Sequence, residues 1–416
     1  MRDDPPTLSL AFNGWERCAE NLPFVKSADA DDVERRFPTG EREGPLVLFW
    51  PSQGKAVMHG GRVHAGRRKV VTSCLVVADA FPTGQRSDDG GGDPEAPVDR
   101  KPYWREVFSP SATNEQQLTR GPARWNHAGV LYDESGTLVL HGGKDDHGVV
   151  CNDVVLFNFR RQSWESFSRW AGGCEAPALF GHAMAPLPVG ALVVLGPLPT
   201  RRAKRGSSED ASERETMSLF LLDLAGSDKQ WRAVTGPAGG PPPRRGFAMS
   251  VSAEGRSLVV GGGSYRSSKL SDIWCMDFTS NLWTQVNATE FPCAALHIST
   301  AHRAVISLWS KGASAAPIPS DSSVAVGHVT AVAEAGAASA DLHVYVRPCG
   351  DKGDAVELPS ENSDSLAVAP YGASVVAVDN RGAVFRGALT LAQVKGGGRA
   401  ARVPTATSQA SGGFLL

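Results

Sequence analysis

Short apolar runs separated by polar, glycine-bearing turns recur along most of the chain, and two stretches carry them in the same order. From Pro122 the runs are GVLY, TLVLHGG, DVVLFNF and SWESF; from Pro243 they are AMSV, SLVVGGG, DIWCMDF and LWTQV. Each run has the length of a strand and is bounded by turn-forming residues. The spacing agrees as well. Asp153 precedes Trp164 by 11 residues and Asp272 precedes Trp283 by 11, while His127 to Gly142 and Phe247 to Gly262 both span 15. A repeat at fixed spacing predicts one supersecondary unit of four short strands per copy.

Weaker copies flank these two. Residues 45–110 supply PLVLFW, AVMHGG, TSCLVVADA and YWREVF, interrupted by the polar segment FPTGQRSDDGGGDPEAPVDRKP, which reads as a disordered loop. Residues 177–235 supply a third copy in which Gly196-Pro197 stands where the others carry two glycines, leaving the geometry of that turn open. Residues 122–169 and 241–289 are the strong copies. Residues 291–359 read as a degenerate fifth, AALHIST, AVISLW, DLHVYVRP and DAVELP, with an Ala/Ser-rich insertion over about 310–340. Residues 365–395 offer three strands, SLAVAP, SVVAVDN and AVFRGAL. The fourth is expected from residues 7–18, where Trp15 occupies the place of a fourth-strand tryptophan. Pairing the two chain ends in this way would remove exposed sheet edges. Residues 396–416 read as a flexible tail.

The repeat resembles the kelch repeat: an apolar strand ending in Gly-Gly, a second strand, then a tryptophan about 20 residues on. The matching positions are Gly142, Gly143 and Trp164, then Gly262, Gly263 and Trp283, with Gly60, Gly61, Trp104 and Trp231 in the weaker copies. The resemblance implies an all-β fold, a kelch-type β-propeller over residues 1–395, with six four-stranded blades expected and seven as the alternative. A glycine pair permits a sharp strand exit and close backbone approach. A tryptophan at a fixed place offers a large plate for packing. These positions are therefore expected to be structural.

The 45 glycines and 28 prolines suit many turns between short strands, and a formal net charge of -2 excludes a polycation that would bind nucleic acid by bulk charge alone. Seven cysteines, at 18, 74, 151, 174, 275, 293 and 349, show no CxxC or metal-ligand spacing and read as free thiols. The N-terminal segment, with two acids and two prolines before any apolar run, does not read as a secretory signal. No apolar stretch is long enough to span a bilayer. The expected location is cytoplasmic, with the nucleus as alternative, and no membrane contact is expected. The roughly 40 residues before the first full repeat are too few for a BTB domain and show no F-box pattern, so a stand-alone propeller is expected.

Propellers of this class include copper radical oxidases, which need two His and two Tyr ligands. The five tyrosines here, Tyr103, Tyr132, Tyr265, Tyr345 and Tyr371, offer only one that lies close in sequence to a histidine, Tyr345 with His343. His59 and His141 both precede the glycine pair, and His127 and His182 share another repeat position that Phe247 fills elsewhere. Replacement by Phe points to packing rather than catalysis. No nucleophile elbow, phosphate-binding loop or zinc-protease motif occurs. No catalytic residue, metal or cofactor is expected, and the chain reads as a protein-interaction module or scaffold subunit. The alternative is a small-molecule isomerase or lyase with its site over the central channel.

Because strands alternate in direction within a blade, the loops between second and third strands emerge on the same face as the links between blades. That face receives Arg62, Arg67, Arg68 and Lys69 from the first repeat, and Arg201, Arg202, Lys204 and Arg205 from the third. It also receives Arg266, Lys269 and Tyr265 from the fourth, and Arg244 and Arg245 from the link before it. Its acids are chiefly Asp145, Asp146 and those ending the third-repeat insertion. The opposite face receives Asp88, Asp89, Asp93, Glu95, Asp99, Asp133 and Glu134. Clustered arginines bind carboxylates and phosphates through paired hydrogen bonds, so the expected partner presents an acidic or phosphorylated segment. RNA ranks lower, because Tyr265 is the only aromatic residue within the basic loops themselves.

Overall fold

The four-run unit folds as a four-stranded antiparallel sheet, repeated along the chain. The protein is represented by a computed structural model. It describes residues 7–12, 16–19, 42–65, 68–79, 104–107, 117–118, 121–132, 135–167, 175–188, 190–199, 215–224, 230–234, 239–286, 295–299, 304–309, 312–317, 329–332, 343–348, 371–378 and 384–394. The first sheet is Leu46–Trp50, Lys55–His59, Leu75–Asp79 and Arg105–Glu106. The second is Ala128–Tyr132, Thr137–His141, Val154–Asn158 and Ser163–Phe167, with Gln117–Leu118 added at its outer edge. The third is Ala183–Pro186, Ala191–Pro199, Glu215–Asp223 and Gln230–Val234, and the fourth is Ala248–Val251, Ser257–Gly261, Ile273–Asp277 and Leu282–Val286. The first strand of each sheet lies beside the first strand of the next, and His343–Pro348 of the last sheet lies beside Leu46–Trp50.

The core lies between sheets. Side chains alternate across a strand, so Leu138 and Leu140 face back to Val57, Leu75 and Val77 of the first sheet, while Val139 faces forward to Leu179, Leu192 and Val194 of the third. With both faces covered, the middle strands need no polar alternation. This accounts for the unbroken apolar runs TLVLH and LVVL. Trp164 and Trp231 are buried in these two layers. Trp104 is buried as well. Trp283, expected to be equivalent, is only half-buried and packs at the margin of the layer between the third and fourth sheets.

The third sheet shows what its Gly-Pro does. Where Gly-Gly ends the second strand in the other copies, here the strand runs on through Gly196 and Pro197, paired with Ser218 and Met217, and ends only at Pro199 opposite Glu215. Without two consecutive left-handed residues the chain does not turn out, and a long hairpin replaces the exit.

The C-terminal third differs from the sequence expectation. The fifth sheet is Ala295–Ser299, Ala304–Trp309, Gly312–Pro317 and Val329–Val332, so two of its strands lie within the Ala/Ser-rich stretch read as an insertion. The strand His343–Pro348, expected in the fifth sheet, pairs with Tyr371–Val378 in the last one. Ladder hydrogen bonds come from the backbone, so GASAAP pairs despite side chains too small to give an apolar signal. The expected strands SLAVAP and DAVELP and the 396–416 tail lie outside the described residues.

Thr7–Phe12 pairs antiparallel with the outer edge of Val384–Val394, from Thr7 opposite Val394 to Phe12 opposite Leu389, and Glu16–Ala19 pairs further along the same strand. Trp15 lies outside the described residues. Deleting residues 1–20 unpairs this edge. The truncated protein is expected to melt at least roughly 5 °C below the full chain. A midpoint within a degree or two would show that the edge strand contributes nothing.

Candidate functional site

The geometry of one face is set by a clasp that recurs in three links. Each Gly-Gly leaves its sheet with positive φ at both residues: 66° and 94° at Gly60-Gly61, 65° and 86° at Gly142-Gly143, 68° and 81° at Gly262-Gly263. An arginine 18 residues earlier donates through Nη1 to the first glycine's carbonyl: Arg42 to Gly60 at 3.1 Å, Arg124 to Gly142 at 3.0 Å, Arg244 to Gly262 at 3.1 Å. The other arm of the fork binds the residue that opens the third strand. Arg124 bonds Asp153, and Arg244 bonds both oxygens of Asp272 at 2.9 and 2.7 Å. Burial opposes ionisation of Asp272, but hydrogen bonds from Arg244 and Trp274 outweigh it and hold the carboxyl below its usual range. In the third link Leu179 occupies the arginine position and is buried in the core.

Beneath the clasps lie two buried imidazole pairs, each joining neighbouring sheets. His59 Nδ1 is 2.9 Å from His127 Nε2, and His141 Nδ1 is 2.9 Å from His182 Nε2. Each second-strand histidine also rests on the next sheet's tryptophan, His59 on Trp164 and His141 on Trp231. Burial, then the charges of Arg42 and Arg124, pushes His59 down to about 3. Burial likewise takes His141 down to about 4. His127 and His182 are lowered well below 6.5 by burial and by their partner imidazoles. All four are neutral at pH 7, and in each pair one ring donates while the other accepts. At the third interface Leu195 and Phe247 fill the same two positions within the core. These histidines join sheets.

Above the clasps the residue after each clasp position alternates with the residue after each glycine pair. Glu43, Trp125, Phe180 and Arg245 interleave with Arg62 and Lys144. Backbone bonds align them: Trp125 N–H donates to Lys144 O at 3.0 Å and Lys144 N–H to Trp125 O at 2.9 Å. The Arg62 guanidinium lies 3.9 Å over the Trp125 ring, Lys144 Nζ lies 5.5 Å from the same ring and 3.8 Å over Phe180, and Arg245 lies 4.2 Å over Phe180. Glu43 takes a fork from Arg62 and a bond from Lys69 at 3.1 Å; Glu215 takes a fork from Arg245. These hydrogen bonds, Arg62 first for Glu43 and Arg245 first for Glu215, hold both carboxyls below their usual range. Lys144 has no carboxylate among the described ion pairs. It sits between two aromatic rings, and burial, then Arg245 and Arg62, lowers its pKa. The result is a continuous row of cations and rings across the links of four sheets, with Lys144 at its centre.

The expected site residues fare unequally. Arg62, Lys69 and Arg245 lie on this row or beside it, each already engaged by a glutamate. Tyr265, with Arg266 at 5.3 Å over its ring, and the exposed Lys269 lie on the next hairpin. Arg244 is a correction. Its side chain is 0% exposed and fully bonded within the fourth sheet's clasp, so it holds the fold and cannot meet a partner. Arg67, Arg201, Arg202, Lys204 and Arg205 lie outside the described residues, and of Arg68 only the backbone is described. Outside the basic loops, the links bring two further aromatic side chains, Trp125 and Phe180, to the same face. Sequence reasoning missed Trp125, Lys144 and Phe180. Their signal was positional: each follows a clasp residue or a glycine pair.

Among the described residues, no three His, Cys, Asp or Glu side chains converge as a metal site would require, and no helix is long and apolar enough to cross a membrane. The family model described as KLHDC2/KLHL20/DRC7 Kelch-repeats domain matches residues 90–308, just over half of the chain. The chain is 26% identical to Putative adagio-like protein 2 of Oryza sativa subsp. japonica over 209 residues, which is 46% of this chain and 29% of that protein. It is 28% identical to Multiple epidermal growth factor-like domains protein 8 of Homo sapiens over 257 residues, 61% of this chain and 8% of that protein. Adagio protein 3 of Arabidopsis thaliana matches at 28% over 199 residues, 46% of this chain and 29% of its own length. The chain thus spans less than a third of the length of these relatives.

Proposed function

This chain belongs to the kelch-repeat family, and from that premise we propose that it docks an acidic or phosphorylated protein segment on the face carrying the Arg62–Trp125–Lys144–Phe180–Arg245 row. Kelch repeats serve in general as protein-interaction modules, and loops held on a rigid scaffold are where recognition resides. One observation carries the finer reading. Lys144 is held between two rings and flanked by two arginines, yet has no carboxylate among the described ion pairs. An incoming anion would supply one. The flanking forks on Glu43 and Glu215 keep Arg62 and Arg245 extended along the rings, so little side-chain entropy is lost on docking. The family reading also favours a binder over an enzyme.

The test is binding of a fluorescent glutamate-rich peptide and its phosphoserine analogue. Lys144→Glu is expected to weaken both about tenfold or more, since it places a like charge where the anion should sit. Neutralising Asp88, Asp89 and Asp93 together is expected to change neither. Binding that survives Lys144→Glu but fails with the acidic set would place recognition on the opposite face.

A further inference from the structure

We propose that Cys74 is an oxidative modification site, at which a peroxide-derived sulfinate takes the place that Asp153 and Asp272 hold in the neighbouring repeats and closes the open half of the Arg42 fork. The inference is independent of the docking reading, because it rests on the clasp.

The register identifies Cys74 as the clasp's acid position. Its carbonyl accepts the Gly60 N–H at 3.1 Å, as Asp153 accepts Gly142 N–H and Asp272 accepts Gly262 N–H, both at 3.3 Å. It immediately precedes the third strand, as those aspartates do. Arg42 makes the same Nη1 bond as Arg124 and Arg244. A guanidinium is planar and rigid, so a fixed Nη1 aims Nη2 at the acid position. There Arg124 and Arg244 find carboxylates. Arg42 Nη2 finds no hydrogen-bond partner, although the residue is only 3% exposed.

Glu106, on the fourth strand opposite Val76, supplies part of the missing charge. Its carboxylate takes a hydrogen bond from the Cys74 thiol and acts electrostatically on Arg42, but leaves Nη2 unbonded. The first repeat's clasp therefore holds a buried cation, an orphaned donor and a thiol where the other clasps hold an aspartate. A cysteine sulfinate carries two oxygens on the atom bonded to Cβ, as an aspartate does, and is ionised at neutral pH.

The chemistry balances with a hydroperoxide as the oxidant. The thiol loses its proton, a sulfur lone pair attacks one peroxide oxygen, the O–O bond breaks and water leaves, giving the sulfenic acid. A second peroxide adds the second oxygen in the same way and leaves a second water. Sulfur is oxidised twice and two peroxides are reduced. Cys74 is only partly buried, so a small oxidant has access.

The experiment treats the reduced protein with hydrogen peroxide and follows peptide mass and thermal midpoint. Wild type is expected to gain two oxygens on the Cys74 peptide and to melt roughly 2–5 °C higher. Cys74→Asp is expected to show that rise without peroxide and to gain nothing further from it. Cys74→Ser should not respond to peroxide, which accounts for oxidation elsewhere. In an Arg42→Met background neither Cys74→Asp nor peroxide should raise the midpoint; if that variant does not fold, Cys74→Asp against wild type decides. The proposal is overturned if Cys74→Asp melts at or below wild type or fails to fold, if Cys74 remains unmodified, or if the oxidised protein melts no higher than the reduced one.

Discussion

Arg244→Met is expected to destabilise the protein by about 3–5 kcal/mol, the cost of leaving one partner of a buried ion pair uncompensated. The guanidinium has no exposure and makes four bonds, to Pro242 O, Gly262 O and both oxygens of Asp272. Removing it strands the Asp272 carboxylate, leaving the Trp274 indole as its described side-chain partner. The loss should appear as a lower midpoint in urea or heat. Arg266→Met, an exposed change on the adjacent hairpin, is expected to stay within about 0.5 kcal/mol of wild type. Equal effects from the two substitutions would show that the clasp contributes nothing. Because Arg244 lies beneath the row of cations and rings, its loss should lower the folded fraction without changing peptide affinity per folded molecule.

Mild acid is expected to have the second large effect. An unfolded histidine titrates near 6.5, whereas His59 and His141 are held at about 3 and about 4. As pH falls below 6.5 the unfolded chain gains protons that the folded pairs refuse. Stability is therefore full above that value and is lost progressively toward the folded pKa values. By pH 5 the loss is about 2 kcal/mol for each of these two imidazoles. His127 and His182 shift in the same direction. The acids held below their usual range, Glu43, Glu215 and Asp272, add to acid lability only further down, near and below pH 4.5. Melting curves between pH 7.5 and pH 5 thus isolate the histidines. A double variant, His141→Leu with His182→Phe, copies the Leu195–Phe247 interface and should remove about half of the acid effect. A midpoint that holds steady from pH 7.5 to pH 5 in wild type would contradict the neutral-pair arrangement.

The repeat was legible because its signals are local. Gly-Gly with an adjacent apolar strand is a backbone requirement, and the 11-residue spacing from Asp153 or Asp272 to its tryptophan is one hairpin long. Such features survive in a single sequence. Small side chains hid the fifth sheet's third strand, since GASAAP carries no apolar alternation although its backbone pairs with Ala304–Trp309. The charged face was legible only as a list of loops. Sorting arginines by loop cannot separate Arg244 from Arg245, neighbours in sequence that end respectively at zero exposure beneath the face and stacked on Phe180 upon it.

What the sequence determined by itself is therefore the unit, its four strands and the positions where glycine and tryptophan are required, because each follows from steric and turn chemistry within some 40 residues. What the tertiary structure decided is which polar groups are spent inside the fold. The clasp joins Arg124 to Asp153 across 29 residues, the imidazole pairs join His59 to His127 across 68, and Lys144 acquires its setting only from rings borne by two different links. Burial and pairing are properties of neighbours distant along the chain, so the same residue type reads as a clasp, a sheet joint or a surface cation only once those neighbours are in place.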